Sequence, residues 1–331
     1  MWMGLLAAPV TAADDTFGFL ADPKLAELAV ELSAARAAAV ALLFDDVRYP
    51  VPARASKGWR VGIDRQPGHE EMERKVTAAI ILHNRALAAV AAPLKIKLRI
   101  VGRGEATSKP LRRIKPFQEY GIRVLDLGIE PLFHAYKRRK KVEGVLPKAV
   151  AALARKKWLD AKAAAASLTG AEAMAWDVLR AAAVLQWNER NRAGHNTAER
   201  DGMHVVNAYR VALGLPPLIL DKKLHFMARD FAIEMSRHKF FSHFHPYDPS
   251  RRTLGHRARR ARYRGKTGEN ASSMGDGANA TWRWRADAGH HRLLLMDFRA
   301  AGFGCAGRSV LNVGTHTTVP ILALYGPGKP R

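Results

Sequence analysis

Ser242-His243-Phe244-His245-Pro246, Gly268-Glu269-Asn270 and Gly289-His290-His291-Arg292 follow one another within about fifty residues of the C-terminal third of this 331-residue chain. Imidazoles and a carboxylate drawn from three separated motifs suggest a polar cavity rather than surface decoration. Such groups, once inside a fold, need hydrogen-bond partners, a metal ion or a ligand.

The sequence on either side of these motifs has clear periodicity. Val205, Val206, Tyr209, Arg210 and Leu213 mark a helix over 203–213 that Gly214 ends, and Leu215-Pro216-Pro217-Leu218 turns the chain. A second helix, 221–238, starts at Asp221, a good N-cap, and buries Leu224, Ala228, Phe231, Ala232 and Met235 along one face. A helix over 287–296 and strands at Ala300–Ala306 and Val319–Tyr325 complete the pattern.

The order of these residues resembles the CAP superfamily, whose SCP domain is named for cysteine-rich secretory, antigen 5 and pathogenesis-related proteins. Asn207-Ala208-Tyr209-Arg210 with Gly214-Leu215-Pro216-Pro217-Leu218 is similar to the family's first helix and the turn after it. Phe241-Ser242-His243 with Pro246 looks like its S-H-x-x-P motif, Gly268-Glu269-Asn270-Ala271 like its G-E-N signature. Trp284 ahead of Gly289-His290, with Leu294 beyond, matches its W-x-x-S-x-G-H-R pattern, and Ala301-Gly302-Phe303-Gly304 its next strand. There are departures: Asp287 stands where Ser is usual, His291 is an extra imidazole before Arg292, and no Trp-Glu pair supplies a second glutamate.

The resemblance implies an α+β chain whose C-terminal part, 201–326, is a three-layer α/β/α sandwich of the disulfide-free bacterial form. It implies that His243, Glu269 and His290 meet at the floor of an open cleft, and that Trp284 is packed inside. Neutral imidazoles and a carboxylate suit Zn²⁺ or another divalent ion, which would activate a bound water. Without metal, Glu269 and a histidine form a general acid/base pair, or the group is a polar network that specifies the fold. His245, two residues from His243 along an extended segment, is an additional candidate ligand; His291, next to His290 on a helix, diverges by about 100°. Arg257, Arg259, Arg260, Arg262 and Arg264 lie between the His243 and Glu269 motifs, where a cleft rim would draw anionic polymer or lipid headgroups. A solvated helix face is the plainer reading of that run.

The rest of the chain carries less chemistry. Residues 14–195 read as a mostly helical region of unknown role, with helices at 24–45, 70–91, 147–167 and 170–190 and strands at 94–100 and 122–127. The polar stretch 191–201 is the expected boundary. His69-Glu70-Glu71-Met72-Glu73 lacks the second His of a helical zinc-protease motif and reads as a helix start. Gly102-Arg103-Gly104 is too short for a phosphate loop.

A net charge of +24 argues for anionic surroundings. Residues 201–331 hold 21 Lys and Arg against 9 Asp and Glu, so the excess is spread along the chain rather than confined to a tail. The single cysteine, Cys305, excludes an intramolecular disulfide and a multi-cysteine zinc site, and reads as a small core hydrophobe. Residues 1–13 look like the tail of a secretory signal without its basic start, which gives an expectation of an extracellular or periplasmic protein. No segment has the roughly 18 uninterrupted apolar residues of a membrane span. The expected function is binding of an envelope or extracellular ligand through the His/Glu cleft. Metal-dependent hydrolysis of an envelope polymer or peptide, and nucleic-acid binding through the basic surface, are the alternatives.

Overall fold

The structure is a computed structural model that describes residues 16–51, 67–101 and 121–315, apart from 193, 264, 265 and 274. The signal-like segment 1–13, Gly102-Arg103-Gly104, Arg264 and the expected strand 319–325 therefore lie outside the described residues.

The N-terminal helices are α1 (Pro23–Leu43), capped by Asp22 with Pro23 in the first turn, and α2 (His69–Ala91). A two-stranded antiparallel ribbon follows, β1 (Leu98–Val101) and β2 (Ile122–Leu125), in which Leu98 pairs with Leu125. The strand expected from Leu94 starts four residues later. Lys95 has a φ of 53° and Ile96 donates its amide to Ala91, so these residues close α2 instead of extending the ribbon.

Next come α3 (Glu130–Arg138), α4 (Val145–Ala154), α5 (Trp158–Ala164) and α6 (Gly170–Arg190). The helix expected over 147–167 is thus two. Lys156, at φ 63°, breaks it, and neither Gly nor Pro marks that break in the sequence.

The C-terminal part begins with α7 (Thr197–Ala212), whose capping box joins Asn196 and Glu199. It continues through β3 (Ile219–Leu220), α8 (Lys222–Arg237), α9 (Leu254–Arg260), β4 (Thr267–Ser272), α10 (Gly277–Arg285), α11 (Ala288–Leu295), β5 (Ala300–Ala306) and β6 (Ser309–Thr315). The strands form one sheet in the order β3-β5-β6-β4, with β3 parallel to β5 and the other pairs antiparallel.

Side chains alternate across this sheet and so define three layers. Gly302, Gly304, Leu311 and Val313 face α8. A Cβ at Gly302 would stand 2.1 Å from the His225 amide nitrogen, and one at Gly304 2.2 Å from the Ala228 carbonyl carbon. Two glycines therefore let the α8 backbone lie directly on β5. Phe303, on the other face, packs against Trp284 of α10 with ring centroids 5.9 Å apart, and leaves no room for a side chain at Gly202 of α7. The fold is the expected α+β arrangement, a helical N-terminal region followed by an α/β/α sandwich.

Two polar residues of α7 hold the sandwich together. Asn207 makes both amide bonds to Leu218, at 2.7 and 3.0 Å. Arg210, fully buried, donates to the carbonyls of Pro216, Leu294, Met296 and Phe298, and burial lowers its pKa to about 10. The core on the α7 side of the sheet is shared with the N-terminal region: Leu42, Leu43, Tyr49, Met72 and Val76 cluster with Tyr209, Trp284 and Leu294.

Candidate functional site

The turn after α8 and the middle of β4 bring two of the expected residues together. His243 Nδ1 lies 3.0 Å from Glu269 Oε1. The other oxygen of Glu269 accepts from Arg257 Nη2 at 2.6 Å. Both oxygens of a carboxylate whose side chain is 3% exposed are thereby used, while the His243 ring is 42% exposed.

A carboxylate can only accept in this contact, so Nδ1 of His243 is the donor, and in the neutral ring Nε2 keeps its lone pair. That nitrogen has no protein partner among the described residues. Glu269 thus acts from behind the imidazole, fixing its tautomer and orientation.

Arg257 holds the arrangement in place. Its Nη1 donates to the carbonyls of His243, at 3.1 Å, and Arg251, at 3.3 Å, and its guanidinium lies 3.6 Å from the centroid of the Phe231 ring. Only 4% of Arg257 is exposed. Of the arginines assigned to the rim, it is therefore part of the site's interior. Arg259, Arg260 and Arg262 are exposed to solvent.

His290 is placed differently. Successive residues of β4 point to opposite faces: Glu269 turns toward His243 and Arg257, while Asn270 donates to the His290 carbonyl at 3.1 Å. The His290 ring is bonded to Asp287 Oδ1 at 2.7 Å, not to Glu269. The same Asp287 oxygen accepts the His290 amide at 2.9 Å and so N-caps α11. Burial would raise the Asp287 pKa, but the bonds from the His290 ring and amide, its charge and the Gly289 amide hold it below the ordinary carboxylate value. The imidazole again has its Nδ1 taken by a carboxylate, so that in the neutral ring Nε2 is the acceptor.

His245 belongs to another cluster. It is buried, its Nδ1 accepts the amides of Tyr247 and Asp248, and its Nε2 is 3.6 Å from Glu234. Phe231, Phe240 and Tyr247 surround its ring. An Nδ1 that accepts two amides puts the proton on Nε2, beside Glu234, so as placed His245 is engaged with its own turn rather than with the His243–Glu269 pair.

His291 is fully buried between Tyr209, whose hydroxyl is 2.5 Å from Nε2, and Tyr49, 3.3 Å from Nδ1. Burial, then the charges of Arg285, His69 and Arg292, keep it neutral, well below the usual imidazole pKa.

The geometry bears directly on a bound divalent ion. Among the described residues no group of three or more His, Cys, Asp or Glu side chains is arranged to hold one. Both oxygens of Glu269 are already engaged, one by His243 and one by Arg257, so as placed it backs the imidazole. The donors that remain are the two Nε2 atoms, each backed by a carboxylate.

Sequence reasoning missed two participants. Asp287, read as a mere departure from a pattern, supplies the His290 partner; an Asp three residues ahead of a helical His was its available signal. Arg257 was one basic residue in a dense run, with nothing local to distinguish it.

Residues 203–313 match the family described as "CAP: Cysteine-rich secretory protein family". Among solved structures, an extracellular protein containing a SCP domain from Bacillus anthracis str. Ames is similar at 23% identity over 41% of this chain, with a TM-score of 0.34. The match spans 43% of that protein's length. The curated proteins give no match.

Proposed function

Residues 203–313 are a CAP domain, and from that premise we propose that the protein is an exported binding protein that engages an envelope or extracellular ligand through His243. The observation that carries this reading is the chain Arg257–Glu269–His243, in which two buried charges orient one half-exposed imidazole. A network serving the fold alone has no need to present that ring to solvent. Export rests on the secretory character of the family and on the signal-like first residues. Among the described residues no helix is long and apolar enough to cross a membrane.

Chemically, the dyad offers a nitrogen acceptor of fixed direction. It takes a hydrogen bond from a ligand hydroxyl or amide, and it removes a proton from a ligand held against it. The second reading, a divalent ion held by the Nε2 atoms of His243 and His290, is favoured by one observation: both rings have Nδ1 tied to a carboxylate, the arrangement that orients metal-ligating histidines. In either case Glu269 and Asp287 act through the imidazoles.

Sedimentation of the purified protein with isolated bacterial cell envelopes tests the first reading. Wild type co-sediments, and His243→Ala with unchanged circular dichroism does not; equal sedimentation of the two defeats it. Elemental analysis after zinc loading tests the second. Stoichiometric zinc that is lost in His243→Ala/His290→Ala supports a metal centre, and none bound in wild type removes it.

A further inference from the structure

A groove of about 480 Å³ runs between α8 and α9, on the side of the sheet where Glu269 sits. Its floor is apolar: Met227 and the Phe231 ring, with Phe226 left 55% exposed at the edge. Lys223, Arg251, Arg257 and Arg260 line its walls against a single carboxylate, Asp230. Two of these cations are already matched. Arg257 is paired with Glu269, and Arg251 lies 3.5 Å from Glu234 and 3.4 Å from Asp248.

Lys223 and Arg260 are exposed and have no carboxylate within ion-pair distance among the described residues. A helix face seeking solubility alone would not set a half-exposed phenylalanine between such cations. The volume is that of a site for one small molecule rather than a track for a polymer.

We propose that this groove binds an organic phosphate, its phosphate held by Lys223 and Arg260 and its apolar body laid on Phe226 and Phe231. The unmatched cations call for a ligand of more than one negative charge, and the guanidinium fork of Arg260 suits phosphate oxygens. The hydrophobic floor then distinguishes a phosphate that carries an apolar group from inorganic phosphate. The proposal deepens the reading of this molecule as a ligand-binding CAP domain and rests on it, yet the groove is separable from His243. Arg257 links the two: one face lies on Phe231 under the groove, and its Nη atoms bond Glu269 and the His243 carbonyl.

The test titrates the full chain calorimetrically with phenyl phosphate and with inorganic phosphate. Phenyl phosphate is expected to bind about tenfold more tightly, as burial of an aromatic ring requires. Lys223→Ala/Arg260→Ala should weaken it about tenfold or more, since charge-assisted bonds are removed, and Phe226→Ala should erase the preference over inorganic phosphate. Lys140→Ala/Lys141→Ala, which removes the same charge elsewhere, should leave binding unchanged.

Flotation with phosphatidylcholine vesicles containing phosphatidic acid identifies the source. Vesicle binding displaced by phenyl phosphate makes the ligand a lipid headgroup; phenyl phosphate binding without flotation makes it a soluble phosphate ester. His243→Ala should lose envelope binding and keep phenyl phosphate binding, so the two readings fail separately. No saturable binding, an equal loss in the Lys140/Lys141 control, or loss in His243→Ala with Lys223 and Arg260 silent would overturn the groove.

Discussion

The pair formed by Arg257 and Glu269 is the part of the site on which the rest depends, and its contribution can be measured. At 2.6 Å and an effective dielectric constant of about 20, two unit charges attract by about 6 kcal/mol. Most of that offsets taking both groups out of water, so the pair itself adds little net stability. Removal of one partner leaves the other charge buried and unmatched, which costs about 3–5 kcal/mol. Glu269→Gln keeps the shape and an acceptor for His243 while stranding Arg257. Arg257→Met keeps a contact on Phe231 but also loses the bonds to the His243 and Arg251 carbonyls, so it should be the more damaging of the two.

Urea unfolding of wild type, both single variants and the double variant closes the cycle. The double variant should be more stable than the sum of the single losses implies, with a coupling of about 2–3 kcal/mol. Single losses below about 0.5 kcal/mol that simply add would be the behaviour of an exposed ion pair. That result would refute the claim that Glu269 is a buried, fully engaged carboxylate, and with it the orientation of His243.

Glu269→Ala should also shift neutral His243 toward the Nε2-protonated tautomer, read from imidazole ¹⁵N shifts; an unchanged tautomer would mean that Glu269 does not orient the ring. Gly304→Ala should cost about 3 kcal/mol or more, or prevent folding, because its Cβ would meet the α8 backbone at 2.2 Å; a midpoint within experimental error of wild type would show that α8 is not seated on β5. Burial, aided by the charge of Arg36 in one case and His195 in the other, lowers the pKa of His83 to about 3 and of His225 to about 4, and His291 is also held neutral. Below about 6.5 the unfolded chain therefore binds more protons than the folded one. Stability should be complete above that pH and fall as pH drops from about 6.5 toward 4; a flat denaturant midpoint between pH 7.5 and 5 would contradict it. Residues 197–315 expressed without the N-terminal helices should be far less stable than the full chain, and a fragment that melts cooperatively at the full-chain temperature would show that the shared core is dispensable.

The sequence reveals most about the sandwich where one face of an element is buried and the other is wet. α8 runs from Lys222 to Arg237, close to the span its apolar periodicity predicts. It fails at β6, where all seven residues are buried and no alternation survives to mark a strand. The Lys156 break fails for a different reason, since a left-handed lysine leaves no compositional trace. In the site, the motif residues His243 and Glu269 are legible and meet as the resemblance implies. The second partner of Glu269 is set by tertiary packing, which determines that Arg257 turns inward while Arg259 and Arg260 do not.

The position that departs most from the family pattern, His291, has a physical role at the contact between the two halves of the chain. A neutral, fully buried imidazole needs one acceptor and one donor. Tyr209 supplies one from α7 and Tyr49 the other from the N-terminal region. Neighbouring charges follow the same division. Arg285 of α10 is bonded through both oxygens of Glu73 on α2, at 2.9 Å each, and Arg292 of α11 donates to the Leu43 and Tyr49 carbonyls and to Asp46. From the other side, Arg36 of α1 donates to the Val211 and Ala212 carbonyls at the end of α7, and Asn188 of α6 bonds Leu218 and Leu220. Apart from the exposed Asp46, these donors and acceptors are wholly or largely buried and have their partners in the opposite half, and a buried group left unmatched costs about 1–3 kcal/mol. The same helix that carries His291 also carries His290, so the contact that secures the N-terminal region fixes the base of the second candidate imidazole.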